Sequence, residues 1–312
     1  MKYVNSMLEL IGNTPLLKLG KVTKGLKANV FVKLELINPS GSYKDRMALS
    51  MIEAAEKGLT WNGKKLMPGG IVADASSGNT APALAFVSAV KGYKCKLGIY
   101  KPQVLKDDIR IRITKIYGAE VSECPSPTEY IPKDVWKKLS EEEKNLSWVI
   151  AGKKYMYELE KNNPEVVWVD QIYNKYNYIG QMKMGYEIYE QLDGKIDAWG
   201  CSIGSGGTML GVSLALKEKG AEPLTFGVIP FTSEVYIKVK NGKREAKKGE
   251  FEFSNAHQKL VELMDLEKWQ KEKSIIEEMF DRGYPDEMFR ITDEEAREMA
   301  NRLAQEEGIW CG

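Results

Sequence analysis

The sequence predicts an α/β protein of two lobes, each a mostly parallel sheet flanked by helices. Short apolar runs of strand length alternate with runs of helix length from residue 29 to residue 216. Polar or glycine-rich turns stand where strands give way to helices. A chain of 312 residues is also long enough to bury a substantial core and to form two lobes. Strand–helix–strand repeats at this spacing imply parallel pairing with right-handed crossovers.

Asn29 to Leu36 (NVFVKLEL) alternates and is rich in Val, Phe and Leu, so it reads as a strand. Asn38-Pro39-Ser40-Gly41-Ser42 breaks it. From Asp45 to Lys57, Met47, Ala48, Met51, Ile52 and Ala55 recur at helical spacing, which leaves Lys44 where a loop enters a helix. Ile71-Val72-Ala73 is a short strand, Ser76 to Thr80 a polar turn, and Ala81 to Val90 a helix ended by Lys91-Gly92. Lys94 to Tyr100 returns as a strand, Asp107 to Tyr117 is a helix closed by Gly118, and Glu120 to Glu123 is a strand. Residues 124–164 hold Pro125, Pro127, Pro132 and the charged run Glu141 to Lys144, and read as a surface insertion or inter-lobe excursion. Gly180 to Leu192 is helical and Ile196 to Trp199 a strand. The turn Gly204 to Thr208 then opens a helix through Leu216. Lys238 to Lys248 carries six basic residues diluted by Glu245, Glu250 and Glu252, and reads as a solvated hairpin or loop. Glu294 to Glu307 is a final amphipathic helix, with Thr292 or Asp293 as its cap.

Composition narrows the function. Lys plus Arg (45) nearly balance Asp plus Glu (44), so no global field points to nucleic acid or an anionic membrane. The longest apolar runs fall short of a membrane span, and the N-terminus lacks the apolar core of a signal peptide. A cytoplasmic protein is expected. Cys95, Cys124, Cys201 and Cys311 show no CxxC spacing, which argues against a metal site or a disulfide frame. The one histidine, His257, lies among charged residues and reads as solvated. Catalysis by a histidine-based triad is therefore unpromising, and lysine, carboxylates, backbone amides or a cofactor must carry the chemistry.

Three features can do so. In Gly204-Ser205-Gly206-Gly207-Thr208, glycines let backbone N–H groups converge on an anion at a helix N-terminus, with hydroxyls from Ser205 and Thr208. The turn lacks a Walker lysine and the GxGxxG spacing, so a small phosphate monoester suits it best, although close packing would also explain its glycines. Ser76-Ser77-Gly78-Asn79-Thr80 could bind a carboxylate, or could simply start a helix with Thr80 as N-cap. Lys44 stands where packing can desolvate its amine, and desolvation favours the neutral nucleophile needed for a Schiff base. Together these suggest pyridoxal phosphate and an amino-acid substrate.

Six stretches in order carry the argument further: Ile11-Gly12-Asn13-Thr14-Pro15-Leu16; Lys33-Leu34-Glu35 leading into Asn38 to Arg46; Ser76 to Thr80; Gly204 to Thr208; Ile291 to Ala296; and Glu306-Glu307-Gly308-Ile309. Over nearly the whole chain the sequence resembles the cysteine synthase family, within the tryptophan-synthase-β-like, fold type II group of pyridoxal phosphate enzymes. The resemblance implies that Lys44 carries the cofactor as an imine and later shuttles the α-proton. It implies that Asn79 binds the cofactor's phenolic oxygen and that Gly204, Ser205, Gly206, Gly207 and Thr208 hold its phosphate. It further implies that Ser76, Ser77, Gly78, Thr80 and Gln171 grip the substrate carboxylate, with no metal. The implied reaction is β-elimination from an activated serine followed by addition of a nucleophile such as sulfide. A large cofactor-binding lobe (1–45 plus 165–312), a smaller substrate-side lobe (46–164) and a homodimer are also implied.

Departures from the pattern keep rivals open. After Gln171 the chain runs Ile172-Tyr173-Asn174-Lys175-Tyr176-Asn177, without the NPANP-like run of acetylserine users. After Val228-Ile229-Pro230 it lacks the VEP and GIGAGF-like stretches and carries a charged connection to Arg290. Cystathionine β-synthase, cysteate synthase and serine/threonine dehydratase chemistry are the enzymatic alternatives. A non-catalytic or partner-binding relative is the alternative of another class. The chain stops at Cys311-Gly312, where relatives continue into an x-S-S-G stretch, so the C-terminal part of the large lobe is expected to be missing.

Overall fold

The computed structural model describes residues 3–100, 108–231, 237–254, 256–266 and 273–311. Strands β1 (Leu16–Lys18) and β2 (Phe31–Lys33) pair antiparallel ahead of helix α1 (Lys44–Glu56). Next come β3 (Ile71–Ala75), α2 (Thr80–Lys91), β4 (Lys94–Ile99), α3 (Ile109–Ile116) and β5 (Glu120–Glu123). Two short helices, α4 (Pro127–Tyr130) and α5 (Lys133–Trp136), precede the long α6 (Glu141–Asn162) and β6 (Val166–Trp168). The chain continues through α7 (Tyr176–Gln191), β7 (Ala198–Ser202), α8 (Gly207–Glu218) and β8 (Leu224–Pro230). It ends with β9 (Ile237–Val239), β10 (Glu245–Lys247), β11 (Phe251–Phe253), α9 (Ala256–Leu263), α10 (Ile275–Asp281), β12 (Glu287–Ile291) and α11 (Asp293–Arg302). The start expected for α3 at Asp107 lies outside the described residues.

Two four-stranded sheets organise these elements. The first has the order β5-β4-β3-β6 and is parallel throughout. The second has the order β10-β12-β8-β7, parallel except that β10 runs against β12. The α/β architecture with helix-flanked parallel sheets is the one the sequence predicts. β6 lies just past residue 164, the expected lobe boundary, yet pairs with β3, so the first sheet extends to Trp168.

Both faces of the first sheet are covered. Ile71, Ala73, Ala75, Val166 and Trp168 point to one core, shared with Ile150, Ala151 and Met156 of α6. Val72, Leu97 and Val167 point to the other, shared with Met47, Met51 and Ile52 of α1 and Leu84 and Val87 of α2. The period-2 alternation of strand side chains produces this division, and burial on both faces is what a parallel sheet requires.

Four expectations are corrected. The strand expected over 29–36 shortens to β2, because Leu34 turns the chain into a 3-10 turn (Glu35–Ile37) that swings Glu35 inward to meet Arg46. The run Glu141 to Lys144 is no surface excursion but the first turn of α6, whose inner face carries fully buried Leu146, Ile150 and Met156. A Ser140/Glu143 capping box starts the helix, and its three glutamates suit the positive end of the dipole. Lys238 to Lys248 splits between two sheets: β9 pairs with β11 and β10 with β12. His257 is buried at 1% exposure, not solvated, because α9 turns it inward with Leu260 and Val261 against Tyr173 and Phe253. Burial pushes its pKa from 6.5 down to about 4.

The ends of the chain are tied together. One carboxylate oxygen of Glu307 accepts the backbone N–H groups of Gly20 (3.0 Å), Lys21 (2.6 Å) and Val22 (2.9 Å). Among the described residues no helix is long and apolar enough to cross a membrane.

Candidate functional site

Apart from Lys44, which opens α1, the expected site residues lie beyond the C-terminal ends of parallel strands, where α/β sheets present their ligand crevices. The turn 76–80 follows β3, Gln171 follows β6, and the turn 204–208 follows β7. Helix α7 joins them. Where it meets α1, Gly180 is closely approached: a Cβ there would lie 2.6 Å from the Arg46 carbonyl oxygen. Where it meets α8, a Cβ on Gly185 would lie 2.7 Å from the Ala215 Cβ and 2.8 Å from the Val212 carbonyl. Glycines at these crossings let three helices approach backbone to backbone. Two of those helices begin at Lys44 and at Gly207.

The turn before α8 has the shape an anion needs. Gly206 adopts φ +85°, a conformation natural to glycine, and a Cβ there would sit 3.1 Å from the Ile276 Cα. A Cβ on Gly207 would fall on the Asn177 amide, while around Gly204 there is open space. Gly204 is exposed whereas Gly206 and Gly207 are buried, so an anion would approach the head of the 12-residue α8 from the Gly204 side. Asn177 steadies the turn, donating to the Ser205 Oγ at 3.2 Å and to the Gln171 carbonyl at 2.7 Å.

In the turn 76–80 each hydroxyl has a structural partner. Ser76 Oγ accepts the Gly78 N–H at 3.2 Å, and Ser77 Oγ donates to the Tyr100 carbonyl at 2.8 Å. Thr80 Oγ1 donates to Gln171 Oε1 at 2.7 Å. Thr80 is thus the first residue of α2 rather than its N-cap. Asn79 occupies the cap without a side-chain cap hydrogen bond, and it is exposed. At the head of α2, Ala81 donates to the Gly78 carbonyl at 3.1 Å and Ala83 to the Asn79 carbonyl at 3.3 Å, and Pro82 has no N–H, so a carboxylate would draw on the amides of the turn itself. Gln171 is oriented by Thr80, by its Nε2 toward the Ala75 carbonyl (3.5 Å), and by its own N–H on Asp74 Oδ2 (3.2 Å).

Lys44 opens α1, half-buried, with its ammonium 4.9 Å from the Tyr43 ring centroid. Its charge reaches Cys201 on β7: burial pushes that thiol up to about 12, and Lys44 pulls it the other way. The residue after it, Asp45, is fully buried and accepts the Ser40 N–H at 2.8 Å and the Ser40 hydroxyl. Burial raises the Asp45 carboxyl from 3.8 to about 6, against those hydrogen bonds. Arg46 then grips Glu35 (2.8 Å) and Glu187 (2.7 Å), joining α1 to the N-terminal segment and α7.

One connected path of hydrogen bonds, Thr80–Gln171–Asn177–Ser205, therefore links the two turns. Asn177 was not expected in this role. Its signal lay in the run after Gln171, where Asn174 and Asn177 keep the three-residue spacing of the two asparagines in NPANP. Asn174 donates to the Val169 carbonyl at 2.7 Å, so both asparagines shape the loop although its prolines are absent. Asp74 and Lys153, buried beneath Gln171, were also missed, because nothing local in sequence pairs residues so far apart.

The arrangement fits pyridoxal phosphate. A glycine turn at a helix N-terminus can hold its phosphate, a lysine can bond its aldehyde, and the polar turn 76–80 with Gln171 can take the substrate carboxylate.

Comparison with known proteins agrees with this geometry. The model of the family described as "Pyridoxal-phosphate dependent enzyme" matches residues 7–312. The chain is 31% identical to cysteine synthase 1 of Emericella nidulans, over 99% of this chain and 74% of that protein. It is 30% identical to the cystathionine beta-synthase of Oryctolagus cuniculus over 100% of this chain, which spans 50% of that relative's length. Among solved structures, a hydrogen sulfide-producing enzyme from Fusobacterium nucleatum superposes with a TM-score of 0.71 at 28% identity, covering 99% of this chain and 88% of that one. Cysteine synthase from Entamoeba histolytica gives a TM-score of 0.72 at 26% identity, covering 100% and 79%. The chain belongs to the fold type II pyridoxal-phosphate dependent enzymes, of the cysteine synthase and cystathionine β-synthase kind, and its cofactor is pyridoxal 5′-phosphate.

Proposed function

We propose that the protein replaces the β-substituent of an activated amino acid, of O-acetylserine or O-phosphoserine type, with a sulfur nucleophile, and so acts as a cysteine synthase. The hydrogen-bonded path from Thr80 through Gln171 and Asn177 to Ser205 carries this reading, because it couples a carboxylate-type turn to a phosphate-type turn. In the proposal Lys44 bonds the cofactor and moves the substrate α-proton. Gly204, Ser205, Gly206, Gly207 and Thr208 hold the phosphate, and Asn79 donates to the phenolic oxygen. Ser76, Ser77, Gly78, Thr80 and Gln171 orient the substrate through its carboxylate, so that the β-leaving group is aligned for departure. Pyridoxal phosphate supplies the electron sink that stabilises negative charge at the substrate α-carbon. A cytoplasmic homodimer with lobes at 1–45 plus 165–312 and at 46–164 belongs to the same proposal.

A cystathionine β-synthase reading is favoured by the 30% identity that runs the full length of this chain. Holoprotein assayed with acetylserine, phosphoserine and serine against sulfide, sulfite and homocysteine separates the two. Cysteine formation from an activated serine and sulfide is the expected result. Product with homocysteine alone, or with sulfite alone, would contradict cysteine synthesis.

A further inference from the structure

Three charged side chains lie buried together under the carboxylate-type turn. Lys153 of α6, Asp74 of β3 and Asp170 after β6 are each at most 1% exposed. The Lys153 Nζ is 3.0 Å from Asp74 Oδ1 and 3.5 Å from Asp170 Oδ1. Burial acts against the lysine's charge, but the two carboxylates hold it protonated, above the ordinary lysine range. Removing three charges from water is costly, and a buried ion pair adds little net stability over apolar side chains of similar volume. What such a cluster does supply is fixed geometry.

Its hydrogen bonds include ones to the strand end that enters the turn and to Gln171. Asp74 Oδ1 also accepts from Trp168 Nε1 at 3.0 Å and from the Ala75 N–H at 2.8 Å, fixing the strand end that runs into Ser76. Asp74 Oδ2 accepts the backbone N–H of Gln171 at 3.2 Å. Asp170 accepts the Ile172 N–H at 3.2 Å and holds φ +46°, a left-handed conformation, immediately before Gln171. Lys153 touches both carboxylates. It thereby ties the β3 side of the crevice to the β6 side, across which Thr80 meets Gln171 at 2.7 Å.

We infer that Lys153 is a positioning residue: by clamping Asp74 to Asp170 it sets the alignment of the 76–80 turn with Gln171, and with it the affinity for the substrate carboxylate. This rests on the proposed function, and deepens it by assigning carboxylate recognition to a buried ionic clamp.

The test uses holoprotein of the wild type, Lys153→Met and Lys153→Arg, titrated with L-serine and with L-serinamide, which differ in the carboxylate. Binding is read from the visible band of the bound cofactor. For Lys153→Met the apparent affinity for serine should fall about tenfold or more, since misplacing binding groups by an ångström is that costly. Its affinity for serinamide should stay within about twofold, because that ligand makes no carboxylate contact. In turnover the same variant should show a raised KM for the amino acid with kcat far less affected, and Lys153→Arg should recover most of the loss. If Lys153→Met does not fold, Trp168→Phe decides, since it removes one bond to Asp74 and keeps a ring. Weaker serine binding with unchanged serinamide binding supports the clamp. Equal effects on both ligands, or none on either, would overturn it. A wild type with no cofactor band would overturn the functional reading and this assignment together, whereas a normal band with serine affinity indifferent to these changes would overturn the clamp alone.

Discussion

Asp45 and His257 titrate in opposite senses over nearly the same pH range. The native Asp45 carboxyl keeps its proton up to about pH 6, whereas the unfolded one releases it near 3.8. Its contribution to stability is therefore greatest below 3.8 and is lost as pH rises through 6. Native His257 resists protonation down to about pH 4, whereas the unfolded imidazole takes a proton near 6.5. Its contribution is in place above 6.5 and is lost as pH falls through 4. In the wild type the two slopes offset one another. Asp45→Asn should make stability fall more steeply between pH 6 and 4, and His257→Phe should reverse that change. Urea denaturation at the two ends of this window measures both, and parallel pH profiles for all three proteins would contradict the assignment. Neither group was legible in the sequence. Asp45 sits in a charged Lys-Asp-Arg string and His257 among polar neighbours, and only the helix rotation set by packing puts them inside.

At the scale of elements, α7 sets the approach of α1, headed by Lys44, and of α8, headed by Gly207, and it does so through glycines. Gly185→Ala would push a methyl against the Ala215 Cβ and the Val212 carbonyl, neither of which can move freely. A destabilisation of about 1–3 kcal/mol is expected from such overpacking. Because α8 carries Gly207 at its first turn, cofactor affinity should fall as well. A variant with the wild-type melting temperature and cofactor affinity would show that this crossing has slack. The sequence displayed most of these elements through hydrophobic periodicity: α1, α2, α8 and strands β3 to β5 stand within a few residues of expectation. It failed at α6, where prolines 125, 127 and 132 and the acidic run drew attention to loops. The capping box at Ser140 and Glu143 was the signal that a helix began there. It failed again at β2, where a tertiary ion pair with Arg46 overrides the local alternation.

For the whole molecule, Arg46 is the junction of the N-terminal segment, α1 and α7. It bridges Glu35 and Glu187, and Thr14 donates to the same Glu35 carboxylate at 2.5 Å. Although burial pushes the other way, hydrogen bonds from Arg46 and Lys33 hold the Glu187 carboxyl down to about 2. That carboxylate therefore stabilises the fold above its ordinary 4.5 and loses its contribution only as pH falls toward 2. Arg46→Met should leave the buried Glu35 carboxylate without its cation, while Glu187 keeps Lys33 at 2.7 Å, and cost about 3–5 kcal/mol, read by urea denaturation at neutral pH. A loss within the scatter of surface substitutions would contradict this role. At this scale the motif stretches were the most legible feature, since they named turns whose spatial convergence the structure then exhibits. The ties between them, through Asn177, Asp74 and Lys153, are long-range and carry no local pattern.

In the function proposed above, Lys44, at the head of α1, is the residue that bonds the cofactor. The most direct measurement is the visible absorption spectrum of purified protein reconstituted with pyridoxal phosphate, recorded for the wild type and for Lys44→Ala. A yellow band is expected in the wild type and none in the variant, with the fold unchanged by circular dichroism. The same band in Lys44→Ala, or no band in the reconstituted wild type, would contradict this role of Lys44.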